Sequence, residues 1–263
     1  MAKPASRTIL RRHLNALPYF RALIRAVEDQ FYQALSLPRP VLDIGCGDGH
    51  FASVAFDRQL DCGLDPSPIV REAAARGGYR LVLQADGGRL PHPAASFASA
   101  MSNSVLEHIP QLDAVLREAA RILRPGAPFI FCVPNPNYLG FLSIGRWLEA
   151  LGLRRLADAY RHWFRRMTRV EHLDAEQVWR ARLEAAGFGL ERSWEYFSKG
   201  AMQTLEWGHL GGVPSLVAHL ITGRWILASG RANLALTERL VARYFDEGLP
   251  KAGAFTFYVA RRR

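Results

Sequence analysis

Val41-Leu42-Asp43-Ile44-Gly45-Cys46-Gly47-Asp48-Gly49-His50-Phe51-Ala52 is the stretch that decides the fold of this chain. Val41, Leu42 and Ile44, with Asp43 between them, have the apolar density of a strand buried on both faces. Glycines at alternate positions follow, and then a helical pattern begins. A strand that ends in a glycine turn and runs into a helix makes a ligand-binding edge at the carboxyl end of a parallel sheet. Three glycines exceed what a plain turn needs. They let the backbone bend sharply and let a ligand lie against bare main chain. The spacing then separates ligand classes. A dinucleotide fingerprint is G-x-G-x-x-G, with a third small residue where helix packs on strand under a pyrophosphate. Here the spacing is G-x-G-x-G, and the position that should be small is His50. Asp43, just before the turn, would repel a pyrophosphate and attract an ammonium group.

Together these residues resemble motif I of the class I S-adenosylmethionine-dependent methyltransferases of the small-molecule type. In that family the glycine turn holds the methionine and ribose parts of S-adenosyl-L-methionine. The resemblance covers residues 40–134 and continues more faintly to the end. Leu60-Asp61-Cys62-Gly63-Leu64 reads as a second strand ending at Asp65-Pro66-Ser67. Asp65 matches the family's ribose acid, since a carboxylate there can accept both hydroxyls. Leu81-Val82-Leu83-Gln84 reads as a third strand and runs into Ala85-Asp86-Gly87-Gly88, where Asp86 matches the acid that receives the adenine amino group. A fourth strand over 97–102 leads into Asn103-Ser104-Val105-Leu106-Glu107-His108-Ile109, similar to the post-strand motif that borders cofactor and substrate. A helix over 112–123, the stop Arg124-Pro125-Gly126 and a fifth strand over 128–133 follow. The resemblance thus implies cofactor contacts from Asp43, Gly45, Cys46, Gly47, Gly49, Asp65, Pro66, Ala85, Asp86, Gly87, Ser102 and Asn103.

The implied fold is α/β, a doubly wound seven-stranded Rossmann-like methyltransferase sheet of order 3-2-1-4-5-7-6 with helical insertions. Length fits one large domain. Its expected parts are an N-terminal helical cap (1–38), the cofactor-binding half (39–134), a helical lid insertion (135–173), a helix and sixth strand (174–198), a second helical insertion (199–250) and the last strand (251–263). Residues 18–35 carry Phe20, Leu23, Ile24, Val27 and Phe31 at helical spacing behind Pro18, which suits a first turn. In the family such a leading helix often covers the cofactor pocket. Residues 138–170 read as one or two helices rich in large apolar groups interleaved with arginines. They follow the strand end where substrate would sit, which is where a lid belongs. Asp174 with Gln177 has the spacing of a capping box, Gly187 can end that helix, and Val178, Trp179, Leu183 and Ala186 would form its buried stripe. Residues 188–197 and 254–260 read as the sixth and the antiparallel seventh strands. Between them lie about 50 residues, including the apolar runs 213–221 and 225–228.

The chain has a net charge of +10, and arginine supplies 31 of its 34 basic residues, which suggests a genome-wide bias as well as function. The first 25 residues carry six basic and no acidic side chains, and 138–172 carries seven arginines against three acids. Residues 41–134 have eight basic against ten acidic side chains, so the positive charge lies outside the cofactor-binding core. It could attract an acidic substrate, a membrane surface or RNA, or it could be a solvated face. Cys46, Cys62 and Cys132 fall in or beside buried strands without a C-x-x-C partner, so disulfides and zinc are not expected and a reducing compartment is. The basic start leads into charged and polar residues, so a signal peptide is not expected; no run is long enough for a membrane span. The expected location is cytoplasmic, with peripheral contact at the inner membrane face left open.

A sulfonium methyl is already activated, so the protein mainly aligns a nucleophile and excludes water. A base is needed only for a protonated nucleophile. Catalytic candidates are His108, after the fourth strand, and Tyr138; His162 and His172 in the insertion are weighed as helix-surface residues. The bland reading of His108 is a histidine that packs or caps a helix start. Glu107 could be a surface helix residue, and His50 a structural one. No cluster has metal-ligand spacing, so no metal is expected. The expected acceptor is a small, hydrophobic molecule, lipid-like or isoprenoid, methylated on oxygen or carbon. Two other classes stay open. An RNA methyltransferase is favoured by the basic flanks and opposed by the lack of an RNA-binding module. A non-catalytic cofactor-binding scaffold protein is opposed by suitable residues at every cofactor-facing position.

Overall fold

The computed structural model describes residues 4–212, 221–222 and 231–263. The apolar runs expected at 213–220 and 225–228 lie outside the described residues. Seven strands form one sheet in the order β3-β2-β1-β4-β5-β7-β6, as the resemblance implied. They are β1 (Val41–Ile44), β2 (Leu60–Asp65), β3 (Tyr79–Gln84), β4 (Ser99–Asn103), β5 (Pro128–Pro134), β6 (Phe188–Tyr196) and β7 (Phe255–Arg262). β1 sits between parallel neighbours, with Asp43 opposite Gly63 on β2 and Met101 on β4. All four β1 residues are buried, which is why its sequence reads as a continuous apolar run broken by one acid. β7 enters antiparallel beside β5, pairing Phe131 with Tyr258.

The chain's contacts cluster into two compact units. The sheet unit comprises Leu35–Pro136, Arg165–Trp194 and Phe255–Arg263. Four of its helices are α3 (His50–Ala55), α4 (Val70–Arg76), α5 (Leu112–Ile122) and α9 (Glu176–Ala186). Its core joins Leu42, Ile44, Leu64, Phe129 and Phe131 to the helix residues Leu116, Trp179 and Leu183. The Phe131 and Tyr258 rings stack at 4.9 Å, a contact worth about 0.5–1.5 kcal/mol beyond the area it buries. The three cysteines are buried as thiols, none of them in a disulfide among the described residues.

The helical unit comprises the chain up to Ala34, Asn137–Phe164 and the described part of Glu195–Ala254. It contains α1 (Pro4–Leu14), α2 (Tyr19–Gln33), α6 (Asn137–Gly140), α7 (Ser143–Ala150), most of α8 (Arg154–Met167), α10 (Lys199–Gly211) and α11 (Arg231–Phe245). α1, α10 and α11 all pack on α2. That explains why α2 buries two acids as well as its apolar stripe. Glu28 accepts from Arg25 and from Tyr196 Oη (2.8 Å), and Asp29 meets His13 at 3.1 Å. Glu206 on α10 caps α7, accepting from the Ser143 and Ile144 amides, the Ser143 hydroxyl and Tyr160 Oη. A buried carboxylate with this many donors is stable where a lone one is not.

Several local expectations need correction. α9 begins at Glu176 with Ala175 at its N-cap, so Asp174 does not form a capping box. Its carboxylate instead lies 3.6 Å from both His172 and Arg182. Val178 is 42% exposed and leaves the stripe to Trp179, Leu183 and the partly buried Ala186. Gly187 does end the helix, with φ +91°. The insertion after β5 makes three helices rather than one or two. α1 falls within the helical cap expected over 1–38, ahead of the 18–35 helix that the sequence reading singled out. His172 lies in the irregular stretch before α9, not on a helix surface.

Candidate cofactor site

The turn after β1 takes its shape from three glycines in the left-handed region, Gly45 at φ +84°, Gly47 at +53° and Gly49 at +74°. Their duties differ. A Cβ on Gly45 would lie 2.3 Å from Val105, and one on Gly49 would lie 2.7 Å from the Ala73 backbone. Those two let other segments pack against the turn. A Cβ on Gly47 would meet nothing within 4 Å. Gly47 is therefore the place where bare main chain faces open space.

Acidic groups converge on this turn. Asp65, at the end of β2, accepts from the Gly47 amide at 3.2 Å and from the Ser67 amide at 2.9 Å. A carboxylate has about four acceptor positions, so two backbone bonds hold Asp65 in place and leave it able to take hydroxyls. Asp43 is buried in β1 and accepts from Tyr79 Oη at 2.5 Å. Burial and the Asp43 charge push the Tyr79 phenol well above its ordinary range, so it stays a donor. Cys46 is pushed up the same way, by burial and by Asp43 and Asp65, and remains a neutral thiol rather than a nucleophile. Asp86, exposed after β3, accepts from the Gly88 amide at 2.8 Å. Ala85 N–H donates to Asp65 O at 3.1 Å, which ties the two acidic loops together. Gly87 is buried, with Ile44 and Val115 at 3.4–3.5 Å from its Cβ position. Pro66 is exposed beside Asp65, and its carbonyl accepts from Gln84 Nε2 at 3.1 Å.

The segment after β4 borders the same sheet edge. Ser102 donates its hydroxyl to Ile44 O at 2.8 Å, so that group joins β4 to β1. Asn103 Oδ1 accepts from the Cys132 thiol at 3.0 Å. Ser104 adopts φ +53°, a costly conformation for a residue with a Cβ and one that clusters at functional sites. Leu106–His108 then form a short 3₁₀ turn with Glu107 buried rather than on the surface. His108 Nδ1 lies 2.8 Å from Arg169 O. A carbonyl only accepts, so Nδ1–H donates and Nε2 is the nitrogen that takes up a proton. Glu107 Oε1 is 3.7 Å from Nε2. Glu107 O accepts from the Glu171 and His172 amides, and His172 Nε2 donates to Ile109 O at 2.9 Å. His50 is buried at the start of α3.

Tyr138 falls in the other unit. It is buried in α6, with its ring 6.0 Å from that of Phe164. His162 is exposed on α8. Sequence reasoning missed Tyr79 beside the turn. It carries no local signal, because it reads as an ordinary strand aromatic, and only strand register brings it to the site. Val105 belongs to the segment read as bordering the cofactor, and its part there is to pack against Gly45. Among the described residues no group of three or more His, Cys, Asp or Glu is placed to hold a metal.

A family model described as a methyltransferase domain matches residues 11–193. With this sheet order and this glycine turn, the chain belongs to the methyltransferase-domain family. An uncharacterized methyltransferase of Mycobacteroides abscessus is 29% identical over 174 residues, 56% of this chain and 62% of the relative. A fatty-acid O-methyltransferase of Mycolicibacterium smegmatis is 32% identical over 118 residues, 42% of this chain and 41% of the relative. The chain thus spans about two fifths to three fifths of the curated relatives it matches. A crystallised S-adenosylmethionine-dependent methyltransferase of Thermotoga maritima superposes with a TM-score of 0.55 at 17% identity, covering 93% of this chain and 91% of that one. Fold and family imply S-adenosyl-L-methionine as the cofactor. The open face of Gly47 and the braced Asp65 carboxylate fit such a ligand.

Proposed function

We propose that this chain transfers the methyl group of S-adenosyl-L-methionine to a small hydrophobic acceptor, on a hydroxyl, a carboxylate or an activated carbon. The observation that carries the reading is the Asp65 carboxylate, braced by the Gly47 amide beside main chain that faces open space. When bound, the cofactor supplies a sulfonium methyl already activated for in-line attack. Asp43 receives the ammonium end, Asp65 the ribose hydroxyls, and Asp86 the adenine amino group. Cys46, Gly45, Gly49, Pro66, Ala85, Gly87, Ser102 and Asn103 shape the walls around those three acids. His108 takes the proton of a hydroxyl acceptor on Nε2, while its Nδ1–H stays bound to Arg169 O. Tyr138 stays a candidate for the acceptor on its place in the sequence alone, four residues after the end of β5. The name of the mycobacterial fatty-acid O-methyltransferase supports an acceptor of lipid character. Peripheral contact with a membrane accords with such an acceptor.

Two measurements test this. Calorimetry with S-adenosylmethionine should give saturable heat for the wild type, and Asp65→Ala should bind more weakly by about 1–3 kcal/mol. Methyl transfer from labelled cofactor should be seen with fatty acids or isoprenoid phenols and not with polar amines. No heat and no thermal shift at millimolar cofactor would remove the reading. Transfer confined to polar acceptors would remove its acceptor class.

A further inference from the structure

The α7–α8 hairpin of the helical unit presents an unbroken exposed run, Glu149 to Leu156. Within and beside it Trp147 is 62% exposed, Leu151 54%, Leu153 43% and Leu156 55%. Four large apolar side chains in water on one hairpin make a contiguous patch of the kind that marks an interaction surface. The hairpin itself is well built. Its tip turns at Gly152 with φ +76°, and Leu153 N–H returns to Leu148 O at 2.9 Å. Arg161 joins the helices by pairing with Glu149 at 2.6 Å. On α8, Ala157 and Phe164 are fully buried, while Leu156 and Trp163 lie next to them on the outer face. The exposed stripe is therefore surplus to packing.

Its charge says what covers it. Arg154 and Arg155 follow the tip directly and Arg146 lies one turn before it, all exposed. Glu149 pairs with Arg161 and only feels the charges of Arg146 and Arg154 from farther off, so among the described residues no acid comes within ion-pair distance of the three. A protein partner would have to bury them against acids, whereas an anionic bilayer takes leucine and tryptophan into its interface and arginine at its headgroups. We infer that the Leu151-Gly152-Leu153 tip of this hairpin inserts into the headgroup region of an anionic membrane, with Arg146, Arg154 and Arg155 as its phosphate-binding collar. This deepens the acceptor reading above by naming the phase from which an apolar acceptor is drawn.

Flotation of the full chain tests it. Phosphatidylcholine vesicles with about 30% phosphatidylglycerol should carry the protein at low salt, and pure phosphatidylcholine vesicles should not. Leu151→Glu with Leu153→Glu should lower partition at least about ten-fold. Arg154→Glu with Arg155→Glu should remove the response to anionic lipid. Both pairs are exposed, so thermal midpoint and cofactor affinity should stay at wild-type values, which shows that each variant is folded. The inference is overturned if the wild type does not float. It is also overturned if the leucine variant floats equally, or if sedimentation gives a dimer that the leucine variant dissolves, since a second copy would then cover the face. Floating protein without cofactor binding would leave the membrane surface standing and remove the methyltransferase reading instead.

Discussion

Tyr79 reaches Asp43 across an intervening strand. The two residues sit on β3 and β1, with β2 between them, and the phenol donates to the carboxylate at 2.5 Å. The crossing is made over Gly63, where a Cβ would lie 2.8 Å from the Tyr79 ring and 3.0 Å from Cys46. A buried carboxylate beside the cofactor turn is thus aimed by a side chain two strands away.

Tyr79→Phe should leave the fold intact and lower its stability by about 1–3 kcal/mol, the cost of a buried carboxylate losing one donor. Cofactor affinity should fall with it. Gly63→Ala should reproduce the affinity loss although Tyr79 is still present, because the added methyl displaces the ring. Chemical denaturation and calorimetry on both variants check this; unchanged cofactor affinity in the two would free Asp43 of any role in positioning the ligand.

The glycines of the turn should separate by what they do. Gly47→Val meets open space, so the protein should fold, paying about 1–2 kcal/mol for the left-handed backbone, and lose cofactor binding. Gly45→Ala drives a methyl into Val105 and should lower the thermal midpoint far more than Gly47→Val. The opposite order of midpoints would contradict the division of roles.

His108→Asn keeps a donor for Arg169 O and removes the proton acceptor. Turnover on a hydroxyl acceptor should drop by about 10²–10⁴-fold, with cofactor affinity unchanged. The acidic limb of the kcat pH profile should vanish in the variant. A variant that keeps that limb would make His108 a structural residue.

His209 gives a pH dependence of stability. Its ring lies 4.6 Å from that of Phe20 and 5.8 Å from that of Phe164, and burial lowers its pKa from the ordinary 6.5. The unfolded chain therefore binds the proton first. The contribution of the neutral ring is present above the unfolded pKa and is lost as pH falls from there toward the folded one. The stability difference between wild type and His209→Gln should shrink on acidification from neutral pH, in denaturation curves taken at several pH values. A difference that grows would reverse the assigned direction.

Much of the sheet unit was legible because its signals are local. An apolar run, a glycine turn and acids after the second and third strands are read within a few residues, and the family resemblance they carry implied the order of the strands. What escaped was set by distant partners. Asp174 has the spacing of a cap, yet it faces His172 and Arg182, and Ala175 takes the N-cap position. Val178 fits the helical stripe on paper, but it is 42% exposed. Nothing local marks Glu28 and Asp29 of α2 as buried; they are so because Tyr196 and His13 arrive from other segments to meet them. At the site, the glycines and acids could be named from sequence. The brace from Tyr79 could not, since it depends on a gap left by Gly63 on a third strand.

The Glu206 cap bears on how this chain can be recombined with its relatives. The insertion that opens at Asn137 and the one that contains α10 are separate in sequence, but one carboxylate from the second satisfies the first turn of α7 and the Tyr160 hydroxyl in the first. Grafting only residues 137–164 from a homologue would put the Ser143 and Tyr160 hydroxyl donors of the buried Glu206 at risk, at a cost of about 1–3 kcal/mol. The two insertions therefore behave as a single heritable cassette. Chimeras that exchange both together should keep the thermal midpoint of the parent, and those that split them should lower it.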